Sequence, residues 1–279
     1  MAPIERILVF ASTPDVEADG FVVPILAEPI ERLPARAAAL GFDGLEFLPN
    51  PGEVPEPERL RSVLDAAGVG VGAVNSGRMA ARGFALLHRD ARIAIYKRYI
   101  DLAAALGARV GLGMARGDAS VAVSGPDLPG LMRDVFGEIA EHAGRAGTVV
   151  MLEPADPGYV AVVLRVHEAA EQARLVGSPG FSIMLDTHQL EVVEPSFEEG
   201  FAAAGGCATH IHLYDPGHWP PGVAEKRLDW DRIRAAMQRH GFRGSGSMVL
   251  APEGDRDAAA RASVGFVRAT LMAEGGDGA

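Results

Sequence analysis

The sequence predicts a single (β/α)8 barrel, and three observations lead to this fold class. Eight short apolar runs alternate with segments that have helical spacing. The runs are continuously apolar, as in strands buried on both faces of a parallel sheet. The chain has 279 residues and no linker or shift in composition, so one domain accommodates it. We therefore expect one barrel over residues 1–272 and a disordered tail over residues 273–279.

The predicted elements alternate regularly along the chain. The predicted strands cover Arg6–Ser12, 41–48, Val69–Asn75, Ala108–Met114, Thr148–Glu153, Phe181–Asp186, Cys207–Leu213 and Ser245–Ala251. Helices are predicted over Pro29–Leu40, Glu56–Ala67, Ala91–Leu106, Leu128–Gly147, Val162–Val176, Pro195–Ala204, Asp229–His240 and Asp257–Met272. Parallel strands need such crossover helices, and eight units close most simply into a barrel. The alternative is an open doubly wound sheet, which should place a glycine-rich phosphate turn after its first strand. The nearest match, at 111–117, is not followed directly by a helix.

The charge balance bears on the class of partner. The chain has 26 Lys and Arg residues against 37 Asp and Glu residues, a formal net charge of -11. An acidic protein repels polyanions, so nucleic acid and anionic membranes are disfavoured as partners. A small neutral polar molecule fits this balance better. A homo-oligomer is a further expectation, because oligomers are common among such barrels.

Cysteine content and hydropathy indicate a cytoplasmic protein. The only cysteine, Cys207, excludes an intrachain disulfide and is compatible with a reducing compartment. Because it lies at the start of a predicted strand, we expect a buried, inert thiol. No apolar run approaches the roughly 18 residues of a transmembrane helix, and the first residues lack the pattern of a signal peptide.

Polar residues occur where the predicted strands end, which in a barrel is the edge that carries function. They are Glu46 after strand two, Asn75 after three, Arg116 after four, Glu153 after five, Asp186 and His188 after six, His210 and His212 on seven, and Glu253 after eight. Each has a structural explanation when taken singly. Glu46 can pair with an arginine, Asp186 can cap the next helix, and Asn75 can hydrogen-bond a loop.

Three of these residues are harder to explain separately. Glu153, Asp186 and His212 come from adjacent strands, so a closed barrel gathers them at one side of its mouth. Two close carboxylates cannot both stay ionised without compensation, which a divalent cation supplies. Their oxygen and nitrogen donors suit Mn, Mg, Co or Zn. His210 lies one step deeper on the same strand face, as a supporting group or an alternative ligand.

A family resemblance rests on several short motifs spread along the chain. They are Gly-Phe-Asp-Gly-Leu-Glu at 41–46, Met-Leu-Glu-Pro at 151–154, Leu-Asp-Thr-His at 185–188, His-Ile-His-Leu-Tyr-Asp-Pro-Gly at 210–217, Pro-Pro-Gly at 220–222 and Leu-Asp-Trp at 228–230. In this order they resemble the xylose-isomerase-like TIM barrels. That superfamily includes sugar and sugar-phosphate isomerases and epimerases as well as endonuclease-IV-like proteins.

The resemblance to the ketose 3-epimerases of this superfamily implies roles for individual residues. It implies a divalent metal held by Glu153, Asp186, His212 and Glu253. The two Glu residues would act as base and acid on opposite faces of a sugar-like substrate, through an enediolate. His188 would bind a substrate hydroxyl. Further candidates for substrate binding are Glu46, Asn75, Arg116 and His218.

Three positions depart from the epimerase pattern. The family spaces the strand-six motif as Asp-Thr-x-His, whereas Gln189 occupies that histidine position here. Strand eight usually ends in Glu-Pro, but this chain reads Val-Leu-Ala-Pro-Glu. The position of the family's Glu therefore corresponds either to Glu253 or to Ala251, and Ala251 could not bind a metal. His218 stands where the epimerases place a substrate-binding arginine. The hypothesis of an isomerase or epimerase therefore has two alternatives, an inosose-dehydratase-like lyase and a non-catalytic sugar-binding barrel. An endonuclease is disfavoured, because strands one to four offer no histidine.

Overall fold

The computed structural model describes residues 2–16, 25–50, 53–76, 89–113, 128–158, 160, 162–223, 225, 227–251 and 254–272, with the side chains of 128–132 excepted. Two predicted site residues, Arg116 and Glu253, lie outside the described residues, and so does the predicted tail at 273–279. Their roles stay predictions.

Eight parallel strands form a closed barrel, which confirms the predicted fold class. The barrel strands are β1 Ile4–Ser12, β2 Gly44–Leu48, β3 Gly70–Asn75, β4 Arg109–Gly111, β5 Val150–Leu152, β6 Phe181–Asp186, β7 Ala208–Leu213 and β8 Gly244–Met248. Each pairs with the next strand in the chain, and β8 pairs with β1 to close the sheet. A two-residue strand, Leu26–Ala27, pairs with the end of β1.

Helices surround this barrel on its outer face. They are α1 Leu33–Leu40, α2 Pro57–Ala67, α3 Arg89–Leu106, α4 Leu128–Ala146, α5 Val166–Val176, α6 Thr187–Val193, α7 Phe197–Ala204, α8 Trp230–Arg239 and α9 Arg256–Val267, followed by a π-helical turn Arg268–Met272. Among the described helices, none combines the length and the apolarity needed to cross a membrane.

The structure corrects three predictions of local structure. Helix α6 was not predicted, because its seven residues follow β6 without a break and are too few to show helical periodicity. Strand β8 ends at Met248 and not at Ala251, because the Ala251 amide and the Val249 carbonyl bond to His218. Cys207 is exposed and not buried, since it lies in the turn between α7 and β7.

Small residues inside the barrel leave room for polar side chains. A Cβ added to Gly111 would lie 2.7 Å from the amide nitrogen of Asn75. On the neighbouring strands, Ala73, Met151 and Met184 pack into a small buried apolar cluster. The last strand contributes the small side chains of two serines to the buried interior. Buried polar side chains therefore share the barrel interior with this apolar cluster, and the candidate site lies among them.

Candidate metal centre

The structure brings Glu153, Asp186 and His212 together at the carboxyl end of three adjacent strands. Glu153 follows β5, and Asp186 lies directly opposite His212 in the pairing of β6 with β7. His212 Nδ1 is 3.2 Å from Glu153 Oε1 and 3.6 Å from Asp186 Oδ2. Asp186 and His212 are buried, whereas the Glu153 side chain keeps 16% of its surface exposed. The group is thus open to a small molecule on the side of Glu153.

The donor set fits a divalent cation. The donor atoms of the three residues all lie within 4.8 Å of one another. Oxygen and nitrogen ligands that sit about 2.0–2.2 Å from a shared ion are separated by at most about 4.4 Å, so the 3.2 and 3.6 Å separations fit a common ion. Two carboxylates and one imidazole suit Mg, Mn, Co or Zn.

The pKa shifts of His212 and Asp186 also indicate a position that favours positive charge. Burial lowers the pKa of His212, but the charges of Glu46 and Glu153 and the hydrogen bond with Asp186 outweigh it, so that this pKa lies well above its ordinary value. Burial raises the pKa of Asp186, yet the hydrogen bond and charge of His212 lower it overall. A proton on His212 therefore supplies the positive charge that the two carboxylates require.

We expect Mn²⁺ to compete with this proton. Metal ligation needs an unprotonated nitrogen, so binding should release about one proton while His212 is protonated in the free protein. The affinity for Mn²⁺ should therefore rise with pH, about tenfold per unit, and level off above the pKa of His212. Titration calorimetry in buffers of different ionisation enthalpy measures the released protons. The variant His240→Gln, whose imidazole pairs with Glu198 away from the site, should behave like the wild type. An affinity that does not change with pH would contradict this account.

One oxygen of Asp186 caps a helix while the other faces the ligand set. Asp186 Oδ1 accepts the amide proton of Gln189 at 2.9 Å, which begins α6, and Oδ2 points to His212. The capping explanation and the ligand explanation therefore describe two oxygens of one side chain. The carboxylate is held in a fixed orientation by its own helix.

Two further contacts fix the strand ends that carry the ligands, and neither was predicted from the sequence. The Gln189 side-chain oxygen accepts the amide proton of Asp156 at 2.7 Å, which ties the segment after Glu153 to α6. Thr187 donates to the Tyr214 carbonyl at 2.8 Å and accepts from the Tyr214 amide at 3.1 Å. Gln189, one of the departures from the epimerase pattern, thus holds the position of a neighbouring segment. A polar residue three positions after an N-cap Asp is the signal that could have indicated a capped helix here.

A second group of ionisable residues lies deeper, on the opposite side of the His212 ring. Glu46 has no exposed surface, and its carboxylate is 3.1 and 3.2 Å from His212 Nε2. His210 Nε2 lies 3.1 Å from Glu46 Oε2, and Asn75 donates its amide to Oε1 at 2.5 Å. Burial raises the pKa of Glu46, but His212 and His210 together lower it well below its ordinary value. Glu46 and Asn75 were predicted to bind substrate, and this role stays a prediction; in the structure both are buried, and Glu46 contacts the Nε2 side of the His212 ring.

Two serines complete this deeper group. Ser245 Oγ lies 2.7 Å from His210 Nδ1, and Ser247 Oγ lies 2.9 Å from His210 Nε2. Burial lowers the pKa of His210, so this imidazole is neutral. The alternation Ser-Gly-Ser on β8 was the available signal, because alternate residues share one face of a strand.

Three rings form one wall beside the ligand set. The rings of Tyr214 and His218 are stacked with centroids 4.2 Å apart, and the His188 ring lies 5.9 Å from that of Tyr214. His188 Nδ1 is buried and has no hydrogen-bond partner among the described residues. His218 has a positive φ of 60° and its Nδ1 donates to the Val249 carbonyl at 3.0 Å. Burial lowers the pKa of His218, so a neutral imidazole occupies the position expected to bind substrate.

The loop after β7, which carries His218, is fastened by the buried carboxylate of Asp215. Its Oδ2 accepts the Gly222 amide at 2.8 Å, and its Oδ1 accepts the Leu228 amide at 2.8 Å and the Trp230 indole at 2.9 Å. Its backbone also pairs with that of Trp219. These bonds hold the described part of the loop in one conformation.

We expect Asp215→Asn to lower the free energy of unfolding by about 1–3 kcal/mol, because an amide NH2 would face a backbone N–H that now has an acceptor. Urea unfolding measures the change. Asp65→Asn, at an exposed position near the end of α2, is the matched control and should have little effect. Equal stability of the two variants would show that Asp215 does not hold the loop.

Solved structures of the same fold include several sugar epimerases. L-ribulose 3-epimerase superimposes with a TM-score of 0.81 at 20% identity, covering 96% of this chain and 95% of its own. D-psicose 3-epimerase in the presence of D-fructose gives 0.79 at 18%, covering 96% and 100%. The E. coli 3-keto-D-glucoside 4-epimerase gives 0.76 at 18%, covering 95% and 99%. At these identities the similarity establishes the fold.

Comparison of the sequence with known families identifies the family independently of the structural superpositions. No curated protein matches the sequence significantly. Residues 34–270 match the family described as xylose isomerase-like TIM barrel, which is most of the chain and contains Glu153, Asp186 and His212. The resemblance inferred from the motifs is confirmed: the chain belongs to the xylose isomerase-like TIM barrel family.

Proposed function

We propose that this protein is a divalent-metal-dependent isomerase or epimerase that acts on a sugar, sugar acid or cyclitol. The observation that carries the proposal is the donor group of Glu153, Asp186 and His212, with separations of 3.2 and 3.6 Å around one point at the barrel mouth. The substrate class is supported by the solved structures of the same fold, whose names describe epimerases of ketoses and of a ketoglucoside.

In this proposal each residue has a separate task. Glu153, Asp186 and His212 hold the cation, which when bound stabilises the negative charge on substrate oxygens as a proton leaves the neighbouring carbon. Glu153, the most exposed of the three, is the base that takes this proton. Glu253 is proposed as the group that returns a proton on the opposite face and as a fourth ligand.

The rings of His188 and His218 orient the substrate. The buried Nδ1 of His188 lacks a partner among the described residues and is suited to a substrate hydroxyl. The His218 ring is held by the Val249 carbonyl through Nδ1 and by stacking on Tyr214, so it forms a fixed wall against which a substrate would be oriented. Burial keeps the His218 imidazole uncharged, as suits recognition of a neutral polyol.

A lyase is the second candidate, favoured by the imidazole of His188. Loss of a β-hydroxyl as water needs a proton donor at the leaving oxygen, a step that epimerisation does not have. His188, whose buried Nδ1 has no partner among the described residues, would supply such a proton in an inosose-dehydratase-like mechanism.

Exchange with solvent deuterium tests the proposal. The Mn²⁺-loaded protein is incubated in D2O with a panel of ketoses, sugar acids and cyclitols, and NMR follows the carbon-bound protons. Exchange with recovery of an epimer or isomer supports the proposal. An unsaturated or deoxy-keto product selects the lyase. Absence of exchange across the panel, together with no retained metal, would leave a non-catalytic sugar-binding barrel.

A further inference from the structure

The His212 ring lies between two acidic groups, each facing a different nitrogen. Nδ1 faces Glu153 and Asp186 at the barrel mouth, and Nε2 faces the buried carboxylate of Glu46 at 3.1 and 3.2 Å. Both groups contain three potential ligands within a few ångströms. Only one nitrogen of a neutral imidazole has a free electron pair, so the two groups cannot both use His212 as a ligand.

We propose that Glu46 is a positioning residue that directs the metal-ligating nitrogen of His212 towards the barrel mouth; this inference rests on the proposed metal dependence. An ionised carboxylate only accepts hydrogen bonds, so the Nε2 that faces Glu46 carries the proton. Nδ1 faces Glu153 and Asp186, and its electron pair becomes available when a cation at the barrel mouth displaces the second proton. A carboxylate behind a ligating histidine is a general device for fixing its tautomer and ring orientation.

The surroundings of Glu46 indicate a supporting role in preference to ligation. Its two oxygens already accept from Asn75 at 2.5 Å and from His210 at 3.1 Å, in addition to His212. His210 in turn has Ser245 on its other nitrogen at 2.7 Å. Glu46 and His210 have no exposed surface, whereas Glu153 does. The deeper group is therefore supplied with hydrogen-bond donors and closed to solvent, which suits a fixed support.

We expect Glu46→Gln to weaken Mn²⁺ binding about 10- to 100-fold, the usual effect of losing the carboxylate behind a metal-bound histidine. The variant side chain has the same shape but no charge, and its amide nitrogen can face Nε2 and favour the wrong tautomer. Electron paramagnetic resonance of free Mn²⁺ measures affinity without substrate. Asn75→Ala, which keeps the carboxylate but removes one of its donors, should lose only a few-fold.

The matched control is Asp215→Asn, because Asp215 is equally buried, accepts three hydrogen bonds and does not touch His212. It should lower stability and leave Mn²⁺ affinity unchanged. If Glu46→Gln is too unstable to measure, ¹⁵N NMR of the Zn²⁺-loaded wild type decides by itself. A protonated Nε2 and a metal-bound Nδ1 on His212 are expected.

Two results would overturn the inference alone: unchanged Mn²⁺ affinity in Glu46→Gln, or ligation through Nε2 in the NMR spectrum. Failure of the wild type to bind Mn²⁺ would instead overturn the proposed metal dependence and this inference with it. The two failures are therefore distinguished by the wild-type titration.

Discussion

Glu153→Gln is expected to reduce substrate proton exchange and turnover by at least about 10²- to 10⁴-fold, the contribution of a positioned general base. Two effects act together. The amide cannot accept the proton, and the cation loses one of its two described carboxylate ligands. Because Glu153 also pairs with His212 Nδ1 at 3.2 Å, urea unfolding of the variant is measured as well, which separates loss of the base from loss of stability.

The matched control for Glu153→Gln is Glu191→Gln, the same change at an exposed position of α6. It should retain full activity. Exchange of the substrate proton with deuterium is measured for both variants with saturating Mn²⁺. Activity of Glu153→Gln within a few-fold of the wild type would remove Glu153 from the role of base.

Asp186→Asn is expected to separate metal binding from folding. Asn caps a helix about as well as Asp, so its oxygen can still accept the Gln189 amide proton and α6 should remain intact. The negative oxygen that faces His212 is lost. We expect Mn²⁺ affinity to fall more than about 100-fold, beyond the range for groups that only support a ligand.

Asp186→Ala is the informative partner of this variant, because it removes the cap as well as the ligand. It should lose about the same Mn²⁺ affinity as Asp186→Asn and, in addition, about 1 kcal/mol of stability. Calorimetry and urea unfolding provide the two measurements. Equal stability of the two variants would contradict the capping role, and near wild-type affinity of Asp186→Asn would contradict the ligand role.

The barrel and the clustering of Glu153, Asp186 and His212 could be predicted from the sequence. Continuous apolar runs separated by helices predict a parallel sheet, and closure of that sheet follows from eight repeats. Once the barrel is assumed, polar residues at the ends of strands five to seven must converge. The prediction that Glu153, Asp186 and His212 lie together needs only this topology, and the structure places them there.

The contacts that support the ligands could not be predicted from the sequence, because they depend on the direction of side chains and on short segments. Nothing in the order of residues shows that Glu46 points under His212 rather than into the pocket. In the structure the pairing of β2 with β3 shifts its register between Leu45 and Glu46, an irregularity that the sequence pattern does not indicate. Helix α6 is likewise too short for helical periodicity to be detected, so the hydrogen bond between Gln189 and the segment after β5 could not be predicted. Exposure of Cys207 followed from a strand that begins one residue later than predicted.

The most direct test of the account is a crystal structure of the full chain soaked in Mn²⁺, with anomalous scattering used to locate the ion. We predict one peak at the barrel mouth within coordination distance of Glu153, Asp186 and Nδ1 of His212. A peak between Glu46, His210 and Nε2 of His212, or none near His212 at saturating Mn²⁺, would contradict it.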